Sequence, residues 1–144
     1  MANENIRSAH WNAIFFCWLV ACAATLGSLF FSEVMHRVPC VLCWYQRIFM
    51  FPLLFVFTVG LFPFDVRCVR YAFPIALAGW AVALYHWLLY VGIVPESMLP
   101  CTRGISCADA QMELVGFLSI PLLSLAAFSL IVALTLAVRR SSRK

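Results

Sequence analysis

Val38-Pro39-Cys40-Val41-Leu42-Cys43-Trp44-Tyr45-Gln46-Arg47 leads straight into Ile48 to Phe64, 17 residues without Asp, Glu, Lys or Arg. Seventeen residues is the lower limit for a helix that crosses a hydrocarbon core of about 30 Å. A CxxC dithiol therefore stands at the mouth of a membrane span, with an arginine one helical turn beyond Cys43. CxxC spacing and a nearby cation both favour the reactive thiolate, which points to electron chemistry at a membrane surface rather than to a crosslink alone.

Three further charge-free runs flank this one: Trp11 to Ser32, Tyr71 to Pro95 and Leu114 to Val138. Of the 144 residues 65% are apolar and only 11% are charged, and a water-soluble domain of that size would expose far too much hydrocarbon. Short connections make neighbouring spans antiparallel. The expected fold is all-α, one integral membrane four-helix bundle over residues 1–144, with no linker, repeat or low-complexity segment.

Seven of the ten basic residues, Arg7, Arg67, Arg70, Arg139, Arg140, Arg143 and Lys144, fall at the two termini and in the middle loop. Lys and Arg in short loops tend to stay cytoplasmic, so both termini are expected in the cytoplasm. The loops Glu33 to Arg47 and Glu96 to Glu113 then face outward. The net charge of +4 is thus a topology signal that needs no nucleic acid. Leu19-Val20-Ala21-Cys22 resembles a lipoprotein cleavage site, but the apolar run continues to Phe31 and cleavage would halve a span. Ala23 and Gly27 have the small-xxx-small spacing of a helix interface, and Cys22 reads as a packing residue beside them.

The seven cysteines divide by position. Cys17 and Cys22 lie inside the first span and Cys68 in the cytoplasmic turn, where a thiol packs as a small hydrophobe or stays reduced. Cys40, Cys43, Cys101 and Cys107 all fall in the two outward loops. Inert disulfides are common there, yet Cys40 and Cys43 close too small a ring to stabilise much by loop entropy. Zinc on two cysteine pairs is disfavoured by the Cys-x5-Cys spacing of the second pair and by the oxidising side of the membrane, so no metal is expected. A b-type haem would want axial histidines on facing helices, and of His10, His36 and His86 only His86 has a convincing mid-span position.

If the second span starts near Leu42 or Cys43, the Cys43 sulfur meets the free amides and positive dipole end of a helix. Arg47, at i+4, shares that face and further favours the Cys43 thiolate. An interfacial snorkelling cation is the bland account of Arg47.

On these residues the chain resembles the DsbB/BdbC family of membrane disulfide oxidases. The match rests on Pro39 to Arg47 before span 2, the second cysteine pair between spans 3 and 4, and Gly116-Phe117-Leu118-Ser119-Ile120-Pro121 opening span 4. The close spacing of Cys101 and Cys107 resembles the short-loop BdbC type. Vitamin K epoxide reductases share the four-helix plan but carry their CxxC late in the chain.

The resemblance implies a protein of the bacterial cytoplasmic (inner) membrane that reoxidises a thioredoxin-like partner of the outer compartment. Electrons would pass to a membrane quinone, ubiquinone or menaquinone, in support of disulfide formation in exported proteins. A reduced partner would attack Cys101 of a Cys101/Cys107 disulfide, Cys107 would attack Cys40, and Cys43 would leave as a thiolate facing the quinone; an interloop Cys40/Cys107 resting bond is an alternative pairing. Arg47 and His86 are the expected quinone-side residues. A DsbA-like partner has a potential of about −120 mV, so its oxidant must be stronger still, and a respiratory quinone is. The competing class is a nonenzymatic four-span scaffold with disulfide-held loops.

Overall fold

The computed structural model describes residues 2–36, 39–94, 113–115 and 118–142. Four long helices run through them: α1 (Ala2–Leu29), extended by a π-helical stretch Phe30–Val34, then α2 (Val41–Leu61), α3 (Cys68–Tyr90) and α4 (Ile120–Ser141). Two short antiparallel strands, β1 (Glu113–Val115) and β2 (Leu118–Ser119), precede α4. The segments Glu4–Val34, Val41–Leu61, Cys68–Tyr90 and Ile120–Ser141 are each long and apolar enough to cross a membrane. The all-α four-helix membrane architecture is as the charge-free runs imply.

The helix ends differ from those runs, and the charges explain why. Helix α2 begins at Val41 rather than Ile48, because Arg47 is taken into the helix with a polar partner on α1. At 21 residues and 1.5 Å per residue it spans about 30 Å. Helix α3 begins at Cys68, with Arg70 exposed in its first turn. Helix α4 begins at Ile120, since Pro121 in the first turn starts a helix readily and residues 113–115 and 118–119 form the two strands instead. Its last turn carries Arg139 and Arg140, cations that suit the negative end of the helix dipole. Arg139 also lies 5.2 Å from the centre of the Phe73 ring on α3.

The helices close a ring in which α1 packs on α2 and α4, and α3 packs on the same two. The core is built from Ile14, Cys17 and Ala21 of α1, Leu53 and Phe57 of α2, Ala72, Ala76 and Ala83 of α3, and Phe128 and Ile131 of α4. Lipid gives helices no hydrophobic reason to associate, so close packing and interhelical hydrogen bonds hold them together. Trp18 Nε1 donates to Thr58 Oγ1 between α1 and α2, and Trp80 Nε1 to Ser129 Oγ between α3 and α4, both at 2.9 Å.

Ala23 and Gly27 are not on the packed face. Ala23 is exposed, and a Cβ on Gly27 would meet nothing within 4 Å. A small residue that does matter for packing is Gly79 on α3, where a Cβ would overlap the buried Phe128 ring. Gly79→Ala is therefore expected to destabilise the bundle by about 1–3 kcal/mol through overpacking. Thermal unfolding in detergent checks this, and Phe128→Leu in the same chain is expected to restore part of the loss.

Candidate active site

Cys40 is the N-cap of α2, with extended backbone (φ −69°, ψ 167°), and its sulfur accepts a hydrogen bond from the Cys43 amide at 3.3 Å. A Ser, Thr, Asp or Asn oxygen usually plays this part at a helix start, satisfying one of the four amides left without a partner. The cap folds the first turn so that the two sulfurs lie 2.9 Å apart. A CxxC at a helix start thus becomes a closed dithiol through the capping geometry itself.

Cys40 is buried with Leu42 and Leu89, and Cys43 is half-buried beside them. Helix α3 presents His86, fully buried, with Nε2 at 3.8 Å from the Cys40 sulfur. Its other nitrogen, Nδ1, accepts from the side-chain amide of the buried Gln46 at 3.0 Å. That contact leaves the ring proton on Nε2, facing Cys40. A connected polar chain therefore runs from Gln46 through His86 to Cys40 and Cys43.

Arg47 is buried, donates from Nη2 to the backbone carbonyl of Ser28 on α1, and lies 5.3 Å from the centre of the Trp44 ring. Three helices consequently meet at the dithiol, each contributing a polar group. Trp44, Tyr45 and Ile48 remain on the outer face of α2, about half exposed.

The helix-end amide that the sequence suggests for Cys43 serves Cys40 instead, because α2 starts at Val41 and makes Cys40 its cap. The hydrogen bond with Cys43, against the opposing effect of burial and with the help of His86 and the Cys43 amide, holds the Cys40 thiol below its ordinary pKa. Cys40, Cys43, Arg47 and His86 gather at the Val41 end of α2, which contacts α3 through His86 and α1 through Ser28. Cys101 and Cys107 lie outside the described residues, as do Gly116 and Phe117. Cys17 is buried in the core, Cys22 is half-buried, and Cys68 packs against Gly60, so tightly that a Cβ there would overlap its sulfur.

Gln46 is the functional candidate that sequence reasoning missed. Its signal was available: an uncharged polar side chain in an apolar span, three residues from Cys43, where membrane helices keep polar groups only with a partner.

The donor atoms of Cys40, Cys43 and His86 all lie within 4.8 Å of one another. The group can act as a thiol exchange centre or take a thiophilic metal ion. Trp44, Tyr45 and Ile48 form a half-exposed apolar face on α2, with the buried Arg47 cation beside the Trp44 ring.

A family model described as "Disulfide bond formation protein DsbB" matches residues 9–138. The "Probable disulfide formation protein" of Metapseudomonas resinovorans is 45% identical over 131 residues, covering 90% of this chain and 91% of that protein. The "Disulfide bond formation protein C" of Bacillus subtilis is 40% identical over 115 residues, 80% of this chain and 83% of that protein. The "SPbeta prophage-derived disulfide bond formation protein B" of the same organism is 37% identical over 121 residues, 83% and 80% of the two chains. No solved structure matches the chain significantly.

Proposed function

Because this chain belongs to the DsbB family of disulfide bond formation proteins, we propose that it is a membrane thiol-disulfide oxidase that reoxidises a thioredoxin-like partner and passes the electrons to a quinone. The observation that carries the reading is the dithiol at the start of a membrane-spanning helix, with its sulfurs 2.9 Å apart and His86 and Arg47 around it. The cation bias supports a topology with both termini in the cytoplasm and the dithiol end outward.

Electrons enter at the second pair. A thiolate of the reduced partner attacks Cys101, the Cys101–Cys107 bond breaks, and Cys107 leaves carrying the negative charge. Cys107 then attacks Cys40, the Cys40–Cys43 bond breaks, and Cys43 leaves as a thiolate; the second partner thiol resolves the mixed disulfide at Cys101. The partner is left oxidised, and two electrons have moved into the chain.

Within this sequence the described residues have separate tasks. The cap hydrogen bond and His86 hold the Cys40 sulfur in place as the atom that is attacked. His86 carries a proton at Nε2 and Gln46 keeps it there. Arg47 supplies a fixed positive charge one turn from Cys43, and its bond to Ser28 stops the guanidinium from swinging away.

A bound quinone would supply a two-electron, two-proton acceptor. Trp44, Tyr45 and Ile48 would hold its ring against α2 from the lipid side, with Arg47 beside its oxygens. Whether ubiquinone or menaquinone is used, these residues offer the same apolar face and cation.

The test is quinone reduction by the purified protein in detergent, driven by a reduced thioredoxin-like dithiol protein and followed by absorbance. Consumption of a ubiquinone or menaquinone analogue that requires both protein and dithiol is expected. No consumption of either by well-folded protein would leave a disulfide-held scaffold as the better account.

A further inference from the structure

We propose that the reduced Cys40/Cys43 pair and His86 form a redox-gated binding site for one thiophilic divalent cation of the zinc class. The two sulfurs and His86 Nε2 lie within 4.8 Å of one another on two different helices. Tetrahedral zinc with sulfur at about 2.3 Å and nitrogen at about 2.0 Å sets its ligand atoms roughly 3.5–3.8 Å apart. The Cys40 sulfur and His86 Nε2 already stand 3.8 Å apart. The sulfur pair, at 2.9 Å, must open, and the Cys43 sulfur, within 4.8 Å of Nε2, must settle at ligand spacing from it; a rotation of the half-buried Cys43 side chain adjusts both. The site is otherwise built: Cys40 and His86 are buried, and the half-buried side at Cys43 leaves a fourth position for water or another thiol.

Gln46 supplies the outer support that metal-binding histidines require. In the described arrangement its amide nitrogen faces Nδ1 at 3.0 Å and the ring proton is on Nε2. A cation needs the lone pair of Nε2, so the amide turns over, its oxygen accepts from Nδ1–H, and Nε2 is freed. The same side chain thereby serves either tautomer. Binding releases the thiol protons, up to two per cation, and changes no oxidation state. A disulfide offers no thiolate, so the site exists only after electrons have entered the chain. A bound cation would arrest the protein in that state, which makes the site inhibitory toward reoxidation.

The experiment uses the full chain carrying Cys101→Ser and Cys107→Ser, so that the loop cysteines cannot compete. The protein is reduced, freed of reductant without air, and titrated with cobalt(II), then with zinc. One equivalent of cobalt with the absorption of a tetrahedral cysteine site is expected, displaced by zinc, and absent after Cys40 and Cys43 are joined as a disulfide. Gln46→Leu is expected to weaken zinc binding about 10–100-fold, whereas Gln46→Glu retains or tightens it. His86→Ala is expected to weaken it at least as much as Gln46→Leu. Equal binding by reduced and oxidised protein, no tetrahedral signal, or an affinity indifferent to both His86 and Gln46 would overturn the proposal. Oxidised and reduced samples are the same folded chain, so misfolding cannot imitate the result, and no quinone or partner enters the measurement.

Discussion

In Cys43→Ala, dithiol-driven quinone reduction is expected to fall to the uncatalysed background while the bundle still folds. Without the second sulfur there is no disulfide to receive electrons. The Cys43 backbone amide, not its side chain, completes the cap of α2, so the substitution leaves the helix start in place. Cys40→Ala is expected to lose activity equally and in addition to cost about 0.5–2 kcal/mol, because it removes the capping acceptor. Cys40→Ser separates the two effects: a hydroxyl can cap the helix but cannot form the disulfide. The pattern expected is inactivity in all three, with reduced melting temperature only in Cys40→Ala. Residual turnover in Cys43→Ala would remove this dithiol from the electron path.

Arg47→Gln is expected to lower quinone reduction by roughly 10²-fold, on the scale seen when one preorganised electrostatic donor is removed from a reacting centre. The mixed disulfide between partner and chain is still expected to form, because among the described residues Arg47 contacts Ser28 and Trp44, which take no part in that exchange. Rapid-mixing kinetics that follow the mixed disulfide and the quinone separately distinguish the two steps. Equal slowing of both would assign Arg47 to the fold alone. A stability loss of about 1–3 kcal/mol accompanies the change if glutamine fails to reach the Ser28 carbonyl.

The four spans were legible because lipid demands long charge-free runs, and the runs found their helices. Their limits were less legible, because absence of charge is a poor marker where a charge is satisfied inside the bundle. Arg47 ended the second run on paper, yet in the structure it bonds to Ser28 and the helix begins six residues earlier. Which face turns inward was not legible either. A helix apolar all round carries little amphipathic signal, so Ala23 and Gly27 looked as plausible as the face that packs, Ile14, Cys17 and Ala21. The dithiol and its arginine stood out by type and spacing. Gln46 did not, because its meaning depends on His86, 40 residues away on another helix.

Cys40 is at once the keystone of a helix end and, in the proposed reaction, a sulfur of the exchanging pair. A thiolate is a strong acceptor for the Cys43 amide and a disulfide sulfur a weak one, so the first turn of α2 is held more firmly in the Cys40/Cys43 dithiol than in any disulfide of Cys40. The redox state is thereby written into the firmness of a backbone segment.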